Sequence, residues 1–372
     1  MNTIALTLPK RVLIGEGVLK QLAEEMKGFS KKGMIITGGN SVKRSGTLNR
    51  VLEELAAFDC LVYDQVSCEP TTEMADMARK AAREFGAGFV IGLGGGSAMD
   101  VAKTTAGLYG LDESTQACMD LKTFDKKNIP FIGIPTTAGT GSEITLNAVL
   151  YSKTTKNKQS IAASWFQAEV ALIDSELTIS MPAALTAATG MDALTHAIES
   201  YTSTVANEVT KAIALEAIEA IGKGLIPACE NGEDREARLL MAKGSALAAL
   251  AFSQTGVGIA HAISHPLGAE FHISHGVANA ILLPEAIRFN RVVCEGDYKQ
   301  IAKALGMEDA EVGIRKWLSL LPIPKTLSQA GYERGHEESI LEKTFLSRSL
   351  KKNPRQASRE DVLMLIEWCE GR

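Results

Sequence analysis

Short apolar runs alternate with longer segments of mixed polarity through the first half of the chain, and each run ends in glycine or proline. Met34-Ile35-Ile36-Thr37 leads into Gly38-Gly39, Phe89-Val90-Ile91-Gly92-Leu93 into Gly94-Gly95-Gly96, and Phe131-Ile132-Gly133-Ile134 into Pro135-Thr136-Thr137. Strands alternating with helix-length segments in this way predict βαβ units and a parallel sheet. Around Met181-Pro182 the texture changes. From Ala183 onward, Ala-rich and Leu-rich segments with 3.6-residue periodicity dominate, as in 212–225 and 236–252, and predict a mostly helical second half.

The chain has 372 residues, more than one hydrophobic core usually serves, so two domains are expected: an α/β domain over 1–182 and a helical domain over 183–372. No Pro-rich or Ser-rich linker marks the boundary. The sequence therefore predicts halves packed together with a cleft between them, where small-molecule sites commonly lie. With 39 basic and 44 acidic side chains the net charge is -5, and no Lys/Arg run exceeds two, which argues against a nucleic-acid partner. Six scattered cysteines without a Cys-x-x-Cys pair fit reduced thiols rather than a disulfide framework. The first residues lack the charge order of a secretory signal, and the longest apolar stretch, 246–263, is broken by Ser253, Gln254 and His261. A soluble, cytoplasmic protein with no membrane partner is the expectation.

Gly94-Gly95-Gly96-Ser97 stands where a strand hands over to a helix starting near Ala98, with Asp100 and Lys103 in its first turns. Glycines admit close approach of a pyrophosphate, and a helix N-terminus offers free N–H groups to an anion. The alternative is a sharp turn after a buried strand. The motif is not a P-loop, and Ser97 replaces the last glycine of a dinucleotide fingerprint. A second turn rich in hydroxyls and glycine, Thr136-Thr137-Ala138-Gly139-Thr140-Gly141-Ser142-Glu143, follows the next apolar run. Two such turns at the ends of successive strands favour a bound nucleotide.

Only six histidines occur, and His261, His265, His272 and His275 fall within 15 residues. On one helix Asp192 and His196, four apart, share a face. A second helix does the same for His261 and His265, with His275 entering from the loop before Gly276. One carboxylate and three neutral imidazoles suit a divalent first-row metal such as Fe(II) or Zn(II), with a coordination position left open. Each histidine alone reads more readily as an ordinary hydrogen-bonded residue, as His272 and His336 do; the combination points to metal.

These residues resemble the iron-containing, or group III, alcohol dehydrogenase family. The resemblance rests on Gly94-Gly95-Gly96-Ser97-Ala98-Met99-Asp100-Val101-Ala102-Lys103, on 135–143, and on Gly190-Met191-Asp192-Ala193-Leu194-Thr195-His196-Ala197-Ile198-Glu199. It continues through His261-Ala262-Ile263-Ser264-His265-Pro266-Leu267-Gly268, through 275–284, and through Asn353-Pro354-Arg355. It implies a Rossmann-like N-terminal domain with a parallel sheet, an all-α C-terminal domain, and an active site in the cleft holding a nicotinamide cofactor and a divalent metal. By motif, Asp192, His196, His261 and His275 match the metal ligands, and His265 matches a non-ligand histidine placed as a proton relay. Lys158 matches a lysine near the cofactor. Gly95, Gly96, Ser97, Asp100, Thr136, Thr137, Thr140 and Ser142 are expected at the nucleotide. Ser274 and Ser175 stand where the family commonly has proline, and Ser164-Trp165-Phe166-Gln167 is unusual, which leaves the substrate open.

The expected activity is metal-dependent hydride transfer between NAD(P)(H) and a small primary alcohol or aldehyde, by a homodimer or larger homo-oligomer. A glycerol-dehydrogenase-like zinc enzyme and a non-redox dehydroquinate-synthase-like enzyme share the layout, but Asp192, the three histidines and Thr195 fit neither as well. A non-catalytic relative would have lost ligands. After Met34 to Thr37 no acid appears before Glu53, and Gly39 stands where NAD-using relatives carry aspartate. With Ser41 able to donate and Lys43 supplying charge, the resemblance to NADPH-dependent butanol and aldehyde reductases implies NADP(H) preference and an aldehyde-reducing direction.

Overall fold

The computed structural model describes residues 4–121 and 124–370. They divide into two compact units, one comprising Thr7–Thr137 and Gly141–Ser180, the other Ala138–Thr140 and the chain from Met181 on, with residues 4–6.

Strands of the first unit are β1 (Arg11–Gly15), β2 (Lys32–Gly38), β3 (Asp59–Val66), β4 (Val90–Gly94), β5 (Phe131–Pro135), β6 (Asn147–Ser152), β7 (Asn157–Ala162) and β8 (Val170–Asp174). Among the described residues, six of them form a parallel sheet in the order β1-β8-β5-β4-β2-β3, and β6 and β7 form an antiparallel pair. The central strands β4, β5 and β8 are buried at every position, as strands covered on both faces must be, whereas edge strands β1 and β3 are mostly half-buried. The three apolar runs of the sequence are β2, β4 and β5.

Helices of this unit are α1 (Leu22–Glu25), α2 (Ser41–Arg44), α3 (Thr47–Glu54), α4 (Thr72–Phe85), α5 (Gly96–Gly107) and α6 (Thr115–Asp120). Helix α5 begins at Gly96, two residues before the expected start, because Gly94 adopts φ +146° and turns the chain at once. The unusual Ser164-Trp165-Phe166 stretch is a 3₁₀ turn filling the core. Phe166 occupies the space a side chain at Gly107 would need, and Trp165 Nε1 donates to the Gly107 carbonyl at 3.2 Å.

The second unit contains α7 (Ala183–Thr202), α8 (Glu208–Glu230), α9 (Arg235–Thr255), α10 (Ile259–Phe271), α11 (His275–Ala304), α12 (Ala310–Leu320), α13 (Glu337–Leu346) and α14 (Arg359–Cys369). Helix α7 is its hub: from Thr186 nearly every residue is buried, including Met191, Leu194 and Ile198. Buried Arg238 of α9 fixes the start of α7, donating to Thr186 Oγ1 at 2.8 Å and to the Met181 carbonyl at 3.1 Å. Among the described residues no single helix is long and apolar enough to cross a membrane; α9 and α10 pass such a test only as a pair bent by 101°.

Candidate metal centre and phosphate loops

In the α/β unit, the turn after β4 delivers Gly95 as the residue capping α5. It carries no side-chain cap, so the N–H groups of the first helical turn have no side-chain acceptor from the capping residue. Ser97 Oγ donates to the Cys68 carbonyl at 2.7 Å, and the Thr136 N–H donates to the Gly94 carbonyl at 2.9 Å, joining the turns after β4 and β5. Thr137 lies against Gly95, 3.5 Å from where a Cβ would sit. Thr136, Thr137, Gly95, Gly96 and Ser97 thus gather at the carboxyl ends of two adjacent parallel strands.

Beneath them is a buried ionic network. Asp100 accepts from Ser142 Oγ at 2.6 Å and from the Val149 N–H at 3.1 Å. Lys103 Nζ donates to Ser142 Oγ, Thr145 Oγ1 and the Asn147 carbonyl at 3.0, 3.2 and 2.7 Å. Burial lifts Asp100 above the usual carboxylate range despite the pull of Lys103, lowers Lys103 to about 8 and raises Glu143 to about 7. Asp100 and Ser142, expected at the nucleotide, therefore also hold the β6–β7 hairpin against α5.

The other expected nucleotide residues are dispersed. Gly39 is exposed, with nothing within 4 Å of where a Cβ would be. Ser41 and Lys43 are exposed on α2, and Lys43 pairs with Asp64 of β3. Lys158, on β7, lies 3.5 Å from Glu69 Oε1. Thr140 falls in the stretch that belongs to the helical unit.

In the helical unit, Asp192 and His196 lie one turn apart on α7, His261 on α10 and His275 on α11. One ligand atom from each lies within 4.8 Å of all the others. His275 is the first residue of α11 rather than part of a preceding loop; Ser274 before it is non-helical (φ -54°, ψ 132°) and makes no capping side-chain bond. Gly276 lets that helix start against α7: a Cβ there would sit 2.3 Å from the Ala188 carbonyl oxygen. The imidazoles of His196 and His261 stack at 4.4 Å, Phe252 covers the other face of His196 at 4.1 Å, and His265 stacks on His275 at 5.1 Å.

Burial holds His196 neutral, lowering it to about 3. It opposes charge on Asp192 and His261 too, but is outweighed at both. Surrounding imidazoles keep Asp192 well below the usual carboxylate range, while Glu199 and Asp192 raise His261 to about 9.

Two residues not singled out in the sequence complete the centre. Glu199 Oε2 lies 2.6 Å from His261 Nδ1, so that nitrogen donates, and in the neutral ring that a cation would require Nε2 carries the lone pair. Asn279 Nδ2 lies 2.7 Å from Asp192 Oδ1, 3.0 Å from His261 Nε2 and 3.2 Å from His275 Nε2, while its Oδ1 finds no hydrogen-bond partner among the described residues. When both rings are neutral with Nε2 unprotonated, two amide protons cannot satisfy all three acceptors. A buried point where lone pairs from a carboxylate and imidazoles meet suits a cation. Helical spacing would have flagged both residues: Glu199 is seven residues after Asp192, and Asn279 four after His275.

Both halves of the chain match known families. Residues 9–175 match iron-containing alcohol dehydrogenase, and residues 186–369 match the C-terminal part of the Fe-containing alcohol dehydrogenase family. The class is an oxidoreductase of alcohol dehydrogenase type, and the chain belongs to the iron-containing alcohol dehydrogenase family. Long-chain-alcohol dehydrogenase 1 of Geobacillus thermodenitrificans is 36% identical over 384 residues, covering 99% of this chain and 97% of that protein. The NADPH-dependent butanol dehydrogenase of Clostridium saccharobutylicum is 35% identical over 387 residues, with 97% and 96% covered. The crystal structure of a 1,3-propanediol oxidoreductase superposes with a TM-score of 0.95 at 29% identity, over 99% of this chain and 100% of that one.

Proposed function

We propose that the protein transfers hydride between NADP(H) and a small primary alcohol or aldehyde, working in the cell as an aldehyde reductase. The convergence of Asp192, His196, His261 and His275 carries this reading. Their donor set fits Fe(II), with Zn(II) or another divalent ion as the alternative. When bound, the cation supplies Lewis acidity toward a substrate oxygen and the nicotinamide supplies the hydride chemistry.

The chain's own groups do the rest. Asp192 contributes the negative charge, Glu199 fixes the His261 tautomer, and Phe252 shields His196 from water. His265, stacked on His275 and outside the ligand set, holds and passes the proton. The first turn of α5, with Gly95, Gly96 and Ser97, receives the pyrophosphate. Asp100, Thr136, Thr137, Thr140, Ser142 and Lys158 shape the rest of the nucleotide site.

NADP(H) preference is supported by the open space at Gly39, by exposed Ser41 and Lys43, and by the NADPH-dependent relative. A cytoplasmic enzyme is supported by six free cysteines; homo-oligomeric assembly rests on resemblance alone.

The test joins metal analysis of the purified protein to steady-state kinetics on butyraldehyde with both cofactors. The expected outcome is bound divalent metal, activity lost on chelation, and kcat/KM higher with NADPH. Full activity in metal-free protein would overturn the metal role, and a ratio favouring NADH would overturn the cofactor choice.

A further inference from the structure

The four donors lie on α7, α10 and α11, and one short segment near the C-terminus, residues 352–355, is hydrogen-bonded beside or within all three helices. The Lys352 carbonyl accepts the N–H of Thr204, two residues past the end of α7, at 3.0 Å. Asn353 is buried. Its Oδ1 accepts from the N–H of Ile259, the first residue of α10, at 3.2 Å and from Asn290 Nδ2 of α11 at 3.0 Å. Its Nδ2 donates to Asn290 Oδ1 and to the Arg355 carbonyl, each at 2.7 Å. Arg355 donates to the Phe289 carbonyl of α11 at 2.9 Å, and its guanidinium lies 3.9 Å over the Phe289 ring.

Helix α10 has no capping side chain of its own, since Gly258 precedes it. Its leading N–H groups are met from elsewhere: Gly258 and Ala260 donate to Glu199 at 2.7 Å each, and Ile259 to Asn353. Both acceptors crowd Gly258, where a Cβ would sit 2.9 Å from Asn353 Oδ1 and 3.0 Å from Glu199 Oε1. Glu199 also takes the His261 Nδ1–H. The imidazole of His261 is therefore placed by a helix start that Glu199 and Asn353 hold jointly.

We propose that residues 352–355 form a clamp that sets metal affinity, with Asn353 a positioning residue for His261 acting through the first turn of α10. The inference rests on the metal-binding reading of the four donors. Outer partners of ligating histidines govern how well the ligand set is organised, and a segment ordered by the site must in turn be ordered by its metal.

The experiment uses the full chain, stripped by chelation and titrated with Zn(II) against a chromogenic chelator. Asn353→Ala is compared with wild type and with Ile340→Val, a buried change on α13 outside the clamp. Hydrogen exchange of wild type is followed with and without Zn(II). The expected result is a dissociation constant raised about tenfold in Asn353→Ala, the lower end for a lost outer partner, and no change in Ile340→Val. In wild type, Zn(II) should slow exchange at Ile259 and in residues 352–355. A folded Asn353→Ala that binds Zn(II) as tightly as wild type overturns the clamp, as does equal weakening in Ile340→Val. Should Asn353→Ala not fold, unchanged exchange in those wild-type segments on Zn(II) binding overturns it. Wild type that takes up no Zn(II) overturns the metal reading itself.

Discussion

The candidate metal centre and the Gly39 region are built on opposite terms. At the centre, buried side chains are held by other buried side chains: Glu199 orients His261, Asn279 bridges three of the four donors, and Phe252 covers His196. Around Gly39 the structure offers open space, a four-residue helix whose Ser41, Lys43 and Arg44 are exposed, and a solvent-facing ion pair between Lys43 and Asp64. The first kind of site loses everything when one member goes, since the remaining groups stay buried and mismatched. The second kind is graded, because water compensates each partner and a small change shifts preference without harming the fold.

The sharpest way to break this contrast is at the ligands. His261→Ala or His275→Ala should reduce bound metal from about one ion per chain to almost none and abolish turnover, as read by elemental analysis beside an aldehyde assay. A variant that kept both would show the centre to be as tolerant as the surface.

Next comes His265→Ala. Because its ring lies outside the ligand set, metal content should hold while turnover falls by roughly 10²-fold. Loss of the metal instead would make His265 a ligand.

Between the extremes lies the buried network under the phosphate loops. Glu143 is raised from 4.5 to about 7 by burial, so the folded state retains a proton that the unfolded chain releases at lower pH. Its contribution is present below pH 4.5, falls as pH rises to about 7, and is flat above. The stability of wild type relative to Glu143→Gln should therefore drop by on the order of 3 kcal/mol across that window, measured by chemical denaturation at a series of pH values. A difference independent of pH would mean that Glu143 stays ionised in the fold.

The smallest effect belongs to Gly39. Gly39→Asp should shift the NADPH to NADH ratio of kcat/KM toward NADH by about tenfold, while Asp64→Asn, which frees Lys43, should shift it the other way. If neither substitution moves the ratio, the ribose lies elsewhere.

Much of this was legible in the residues. The runs that became β2, β4 and β5 are apolar and end in glycine or proline, so burial and chain reversal are written together. Edge strand β3 and the β6–β7 hairpin lack that signature, being half-exposed or joined by Lys153-Thr154-Thr155-Lys156 rather than a compact glycine turn, whereas β1 carries it only as the short run Val12-Leu13-Ile14-Gly15. The four donors that the structure brings together were readable from spacing on two helices and a histidine cluster. The helical start at His275 was not, because it depends on Gly276 meeting Ala188 across helices. Asn353 stood out only as a motif; its bond to Ile259 joins residues 94 positions apart, which no local pattern encodes.

The sheet order carries a consequence for synthesis on the ribosome. Among the described residues strand β1 pairs only with β8, Arg11 opposite Val170, so the first of these strands to be made waits for the last one. Strands β2 to β5 find neighbours among themselves as they emerge, but the apolar stretch Val12-Leu13-Ile14 has none until about 160 further residues have been added. At roughly 5 to 20 residues per second that interval is on the order of 8 to 30 seconds. During it the nascent chain presents an unpaired apolar strand, which chaperones that bind extended segments recognise, and the β5 edge stays open until β8 closes it. Slowing translation between β5 and β8 should therefore raise aggregation of this protein more than slowing it anywhere after residue 180.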